Sequence, residues 1–183
     1  MTVTETPEMT PARDAVLVLA GFASGALAAV AIAMVGAVGR ERGGEEATWL
    51  HLATLVAGMC AVVTVMAVRG KAPGFPCPLN RGTVIGAVGI GFGTIALISI
   101  QGIAWYYLLS GFFSVAVFLL MTWLLVRVNL AFFFASNTLG TVAGSLVLDE
   151  IGAFGAPEQS ITLARAAGVL LIATGVVAVR TAK

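Results

Sequence analysis

Long uncharged stretches dominate this chain and limit what it can fold into. Charged side chains fall in short groups, and the runs without any charge cover residues 15–39, 47–68, 82–126, 128–148 and 166–179. A bilayer core of about 30 Å requires about 20 predominantly apolar residues of helix, and charged side chains are costly inside it. The pattern therefore predicts an all-α, polytopic transmembrane helix bundle.

The composition excludes several other classes of protein. Of the 183 residues, 59% are hydrophobic and 10% are charged, whereas about 25% of a typical soluble domain is charged. Ten basic residues are balanced by nine acidic ones, so no basic surface is available to bind the phosphates of a nucleic acid. We therefore exclude a soluble enzyme, a disordered chain and a nucleic-acid binder.

Six transmembrane helices account best for the uncharged stretches. The 45-residue run at residues 82–126 would reach about 67 Å as one helix, which is too long for a single tilted span. We therefore divide it near Gln101, which places Trp105, Tyr106 and Tyr107 at a membrane interface, where aromatic side chains are enriched. The predicted spans are residues 15–38, 48–68, 83–100, 106–126, 130–148 and 161–179.

The alternative is five spans, with residues 83–100 lying in the interface or re-entering the membrane. Six glycines from Gly82 to Gly102 weaken that helix. Six spans place seven basic residues on one side and three on the other, whereas five spans place five on each side. The positive-inside rule therefore favours six spans with both termini in the cytoplasm. The three basic residues on the opposite side are then Arg40, Arg42 and Arg165.

The chain is predicted to contain one folded domain. Residues 1–12 contain Pro7 and Pro11 among threonines and glutamates, which indicates a disordered N-terminal tail. Residues 13–183 form a single transmembrane helical domain. The first apolar run is longer than that of a signal peptide and follows an acidic segment, so we expect it to be kept as a span.

Catalytic and metal-binding patterns are missing from the sequence. The only histidine, His51, has no carboxylate or second histidine at ligand spacing and is interpreted as an interfacial polar residue. No nucleophile triad, phosphate-binding loop or dinucleotide fingerprint is present. We therefore predict a protein that is not an enzyme and uses no metal and no cofactor. The middle of each span also lacks an acidic residue, which favours a neutral solute, or an ion handled by dipoles and helix ends, over proton–cation antiport.

The fifth predicted span carries the densest group of polar side chains. Asn137, Thr141 and Ser145 are four residues apart and share one helix face. They are our candidate substrate-binding residues, with Gln101 as a more remote candidate. The alternative is that they form hydrogen bonds to a neighbouring helix, at about 0.6 kcal/mol per bond.

Small residues and one charge pair indicate how the helices pack. Gly140 and Gly144 form a GxxxG motif, and Gly21 and Gly25 begin a ridge of small residues on the first span. Such motifs let two helix backbones approach closely. Asp149 and Arg165 are close to the ends of the last two spans, and we expect them to form an ion pair that joins these spans or gates one mouth.

Several segments resemble the YdcZ-type inner-membrane exporters of the drug/metabolite transporter superfamily. The segments are WYYLLSG at residues 105–111, FFFA at residues 132–135, and GTVAGSLVLDEIGAFG at residues 140–155, followed by the glycine-bearing helix at residues 168–179. The family pattern tends to have glutamine at the position of Thr141. Asn137, one turn earlier, is a candidate to supply the missing amide.

The resemblance implies a small all-helical permease of the bacterial inner membrane. Its implied partners are membrane lipid and a small-molecule substrate. A homodimer is compatible with the resemblance. It would be antiparallel for five spans, whereas six spans would give a parallel dimer or a monomer. Nucleic acid is not an expected partner. The competing hypothesis is a non-transporting membrane subunit that binds a partner protein through its GxxxG helix faces.

Overall fold

The computed structural model describes residues 11–71, 74, 76–78 and 81–181. These residues contain six α-helices, two short 3₁₀ turns (Trp105–Leu108 and Ala153–Gly155) and no β-strand. The predicted all-α class is therefore confirmed. The helices are α1 (Pro11–Arg42), α2 (Gly44–Val68), α3 (Gly82–Ser99), α4 (Leu109–Leu125), α5 (Leu130–Glu150) and α6 (Leu163–Thr181).

Among the described residues, five helices are long and apolar enough to cross a membrane. They are α1 to α5, with the 3₁₀ turn that precedes α4 counted as part of that span. The apolar part of α6, Leu163–Val179, has 17 residues, which is the lower limit for a transmembrane helix. The sixth span therefore depends on α6, and the six-span count stays a prediction.

The helix α3 is regular despite its glycines, because most of them form a packing face. A Cβ atom added at Gly89 would lie 2.7 Å from the Cβ of Cys60 in α2, and one added at Gly82 would lie 3.0 Å from the Cβ of Ala67. Gly86 and Gly93 also face α2. The helix propensity lost to these glycines is thus offset by close packing of two helices.

The first helix, α1, is the centre of the bundle. It packs on α5, α4 and α2, whereas α3 packs on α2, and α6 packs on α5. Buried side chains form one cluster at each end of α1. The first lies at what we call the Arg40 end and consists of Met34, Ala37, Val38, Ala47, Leu50, Ala53, Ala96, Ile100 and Tyr107. The second lies at the opposite, Arg127 end and consists of Leu17, Leu124 and Phe133.

The end of α1 has a local explanation in the sequence. The described part of the helix covers Pro11–Arg42, and residues 1–10 of the predicted N-terminal tail lie outside the described part of the chain. A single residue, Gly43 with φ 94°, separates α1 from α2, and glycine adopts this backbone angle without steric cost.

The three aromatic residues before α4 differ in their exposure. Trp105 is 71% exposed, whereas Tyr107 is only 4% exposed. The 3₁₀ turn Trp105–Leu108 directs Tyr107 into the buried cluster at the Arg40 end. Tyr107 therefore packs inside the bundle, and the position of these residues at a membrane interface stays a prediction.

Candidate functional site

The closest helix contact in the bundle is the α1–α5 seam, which we define by Gly21 and Gly25 on α1 and Gly140 and Gly144 on α5. A Cβ atom added at Gly25 would collide with the carbonyl oxygen of Asn137 and would lie 2.7 Å from the amide nitrogen of Thr141. One added at Gly140 would collide with the carbonyl oxygen of Phe22. Glycine is therefore required where the two backbones touch.

The other two seam glycines extend the same contact along both helices. A Cβ atom at Gly21 would lie 2.8 Å from the Cβ of Ser136, and one at Gly144 would lie 3.1 Å from the Cβ of Ala29. All four glycines that the sequence assigned to helix packing thus lie in one interface.

The polar side chains of α5 have partners inside the protein. Asn137 donates a hydrogen bond from Nδ2 to the Oγ of Ser24 on α1, at 3.2 Å, and Ser24 is fully buried. The hydroxyl groups of Thr141 and Ser145 donate to carbonyl oxygens of their own helix, at 3.0 Å and 2.9 Å. Of the three residues, only Asn137 is bonded to a neighbouring helix, and the substrate role of all three stays a prediction.

Gln101 lies far from this group. Its backbone carbonyl accepts a hydrogen bond from Arg42 at the end of α1, whereas Asn137 is bonded to Ser24. Eighteen residues of one helix separate Ser24 from Arg42, which corresponds to about 27 Å. The structure therefore does not bring Gln101 together with the polar face of α5.

A cavity of about 290 Å³ lies between α1, α2 and α4, and we call it the cleft. Most of its walls are apolar side chains, and His51 of α2 and Ser114 of α4 supply the polar groups. The complete lining is Ala28, Ala31, Ile32, Val35, His51, Ser114, Val117 and Phe118. All of these residues lie in helices of membrane-spanning length.

His51 is held across the cleft by two serine hydroxyls of α4. Its Nδ1 lies 3.3 Å from the Oγ of Ser110, and its Nε2 lies 3.3 Å from the Oγ of Ser114. A neutral imidazole has one donor and one acceptor nitrogen, and each hydroxyl can both donate and accept. The hydroxyl of Ser114 therefore retains hydrogen-bonding capacity for a molecule in the cleft.

Sequence reasoning assigned no function to His51 and missed Ser110 and Ser114. The two serines are four residues apart on α4 and share one helix face, which was the available signal. His51 is 59 residues away from Ser110 in the chain, so only the packing of α2 on α4 shows that they form one group.

The predicted charge pair lies at the Arg40 end of the bundle. The Nη1 of Arg165 lies 3.7 Å from the Oδ2 of Asp149. Arg165 also donates a hydrogen bond to the side chain of Gln159, and Glu150 accepts one from the amide of Ile161, at 2.6 Å. These contacts join α5 to the segment that leads into α6, and their role as a gate stays a prediction.

A second cavity, of about 640 Å³, opens at the same end, and we call it the vestibule. Its lining is Met34, Glu41, Tyr106, Tyr107, Phe154 and Gly155. Phe154 belongs to the connection between α5 and α6, and its carbonyl oxygen accepts a hydrogen bond of 2.9 Å from Arg40 of α1. Neither the vestibule nor the cleft is lined by Asn137, Thr141 or Ser145.

Comparison with known proteins identifies the family of this chain. No curated protein and no solved structure matches it. The family model described as "Putative inner membrane exporter, YdcZ" matches residues 16–178, a range that includes the seam, the cleft and the vestibule. With this match and a bundle of apolar helices, the chain belongs to the YdcZ family of multi-pass inner-membrane proteins.

Proposed function

We propose that this protein carries a small molecule across the inner membrane by alternating access, with the cleft as its substrate site. Membership of a family described as exporters supports membrane transport in general. The observation that carries the more specific proposal is the cleft itself, an apolar cavity between membrane-spanning helices that presents His51 and Ser114.

The chemistry of the cleft is that of a binding pocket for a small, mostly apolar molecule. Ligand pockets combine apolar walls with a few polar groups that fix the orientation of the ligand. An engineered cavity of about 150 Å³ binds benzene, and the cleft has about twice that volume. A substrate with one or two rings and one hydrogen-bonding group would fit this space.

Three helices enclose the cleft, and each is packed on the others. α1 is joined to α5 by the seam and also packs on α4 and α2. Gly111 of α4 is packed against Thr54 of α2, and a Cβ atom added at Gly58 of α2 would lie 2.8 Å from Val115 of α4. Transporters commonly alternate by rocking one group of helices against another, and in this proposal the contacts of α1 with α2 and α4 are the ones that change.

Cysteine accessibility tests this mechanism without knowledge of the substrate. The background protein carries Cys60→Ala and Cys77→Ala, which remove both native thiols, and Ser114→Cys places one thiol in the cleft. Right-side-out and inside-out vesicles are then treated with a membrane-impermeant maleimide. We expect labelling from both sides, because the cleft opens alternately to each.

Two matched variants separate the competing interpretations. Ser24→Cys lies in the fully buried seam and should be labelled from neither side. Thr141→Cys tests the predicted substrate face of α5, and labelling from both sides would move the transport path to that face. A Ser114→Cys thiol that reacts from one side only, or from neither, would contradict alternating access at the cleft and favour a non-transporting subunit.

A further inference from the structure

We propose that the vestibule binds an organic cation, and specifically a quaternary ammonium group, against the rings of Tyr106 and Phe154. This site goes beyond the proposed transport mechanism, because it lies at the Arg40 end and shares no lining residue with the cleft. In the predicted orientation the Arg40 end faces away from the cytoplasm, so the vestibule would be open to molecules outside the inner membrane.

Two of the three rings can be reached from the vestibule. The ring centroids of Tyr106 and Phe154 are 6.4 Å apart, and Tyr107 lies beside both rings but is only 4% exposed. A cation is attracted to an aromatic face within about 6 Å of its centroid. Tyr106 and Phe154 therefore supply the aromatic surface for one ammonium group, as aromatic side chains do in the cages that recognise quaternary ammonium groups.

The charges near the rings are compatible with a bound cation. Glu41 contributes a carboxylate to the vestibule lining, and this wall belongs to the last turns of α1, where the helix dipole is negative. Arg40 is the opposing charge, and its guanidinium is engaged with the carbonyl oxygen of Phe154. Glu41 is therefore needed to offset Arg40 when a cation binds.

The backbone of Phe154 supports a functional role for its ring. Phe154 has φ 56°, a left-handed conformation that is a genuine outlier for a bulky side chain. Gly152 and Gly155 adopt positive φ angles beside it, and Arg40 holds its carbonyl oxygen. Such outliers are kept where the surroundings enforce them and are common in ligand-binding segments.

Packing alone does not account for this arrangement. Tyr107 is buried and Phe154 packs against the hydrophobic cluster at the Arg40 end, so part of each ring has a structural role. Yet Tyr106 and Phe154, with Glu41, also line the open vestibule, so part of each of these two rings is accessible to a ligand.

Calorimetric titration of the purified protein in an uncharged maltoside detergent tests the site. The probe is choline, and the matched control is 3,3-dimethylbutan-1-ol, which has the same shape without the charge. We expect choline to bind at least 10-fold more tightly than the alcohol. Phe154→Leu and Tyr106→Leu should each weaken choline about 2- to 30-fold, whereas Tyr106→Phe should preserve the affinity because it keeps the ring.

Two further variants distinguish this proposal from others. Glu41→Gln should weaken choline, because the charge of Arg40 is then unopposed. His51→Ala should leave choline binding unchanged, so that failure of the cleft as a substrate site and failure of the vestibule as a cation site are separate results. Equal binding of choline and the alcohol would overturn the proposal. So would Leu variants that lower the melting temperature without changing the affinity for choline.

The source of the ammonium group is decided by competition. Short-chain phosphatidylcholine carries the same group on a lipid, and short-chain phosphatidylglycerol is its control without an ammonium group. If the first lipid alone displaces choline, the vestibule binds a lipid headgroup. If neither displaces it, the vestibule takes a free cation. Equal displacement by both lipids would contradict recognition of the ammonium group.

Discussion

The α1–α5 seam and the cleft are formed by different residues of the same helix, and they use polar side chains in different ways. Both contain polar side chains within membrane-spanning helices. In the seam, glycines bring the backbones together, and the amide of Asn137 is bonded to the buried Ser24. In the cleft, the lining residues of α1 are alanine or larger, and His51 and Ser114 border open space. Polar residues in this bundle thus bond helices where the neighbouring residues are glycines, and face a cavity where those residues are larger.

The largest effect is expected from adding a single methyl group at the point where α1 and α5 touch. Gly25→Ala should lower the free energy of unfolding by about 3 kcal/mol, because its Cβ meets backbone atoms of α5 that cannot turn aside. Gly91→Ala is the control, since a Cβ there meets nothing within 4 Å, and it should be neutral or stabilising by up to about 1 kcal/mol. Denaturant unfolding in detergent measures both, and equal effects would contradict the seam.

Adjacent residues of α1 provide a direct test of the two surfaces. Ala29 is buried beside Gly144 in the seam, whereas Ala28 lines the cleft. Ala29→Leu should destabilise the protein by about 2 kcal/mol through overpacking, whereas Ala28→Leu should cost less than about 1 kcal/mol, since the new side chain occupies the cavity. Thermal unfolding gives the first comparison. In the Ser114→Cys background, Ala28→Leu should also slow maleimide labelling, and unchanged labelling would show that this wall does not border the path.

A smaller effect should come from the hydrogen bond between Ser24 and Asn137. A double-mutant cycle with Ser24→Ala and Asn137→Ala should give a coupling energy of about 0.6 kcal/mol, the average for side-chain hydrogen bonds between membrane helices. The same cycle with His51→Ala and Ser114→Ala should give a smaller coupling energy. When one of these two side chains is removed, the other can still form hydrogen bonds, His51 with Ser110 and Ser114 with a molecule in the cleft. A larger coupling in the cleft than in the seam would reverse the comparison.

The smallest effect is expected from the ion pair at the Arg40 end. Its coupling energy gives a reference value for a partly exposed pair, against which the couplings in the seam and the cleft can be compared. Asp149→Ala and Arg165→Ala should couple by about 0.5 kcal/mol, and the coupling should fall as salt is added, because both side chains are partly exposed. Stability measurements at low and high ionic strength provide the test. A coupling energy of zero at low salt would exclude a role for this pair in joining α5 to α6.

The sequence predicts the positions of the helices and the glycine surfaces that form the seam, but neither the cleft nor the vestibule. Runs of apolar residues predict each helix to within a few residues, because the bilayer makes their length a physical requirement. The two glycine surfaces of the seam were also predictable, because glycines four residues apart let another helix approach closely, but the sequence did not show that these two surfaces contact each other. The cleft was not predictable, since His51 meets residues 59 and 63 positions later in the chain, and no local pattern pairs them.

The vestibule shows a different limit of sequence reasoning. Tyr106 and Tyr107 carry the signature of an interfacial belt, yet their neighbour in space is Phe154. That neighbour depends on a left-handed backbone that phenylalanine does not favour by itself. Its position is set by Arg40 and by the adjoining glycines, which are contacts of the folded chain.

The seam also determines the order in which this protein can be assembled. Ser24 and Asn137 are 113 residues apart in the chain. At about 5 to 20 residues per second of synthesis, Ser24 is made about 6 to 23 s before Asn137. During that interval the glycine ridge of α1 is covered by lipid or by the insertion machinery. The helix at the centre of the finished bundle therefore completes its packing only when α5 arrives.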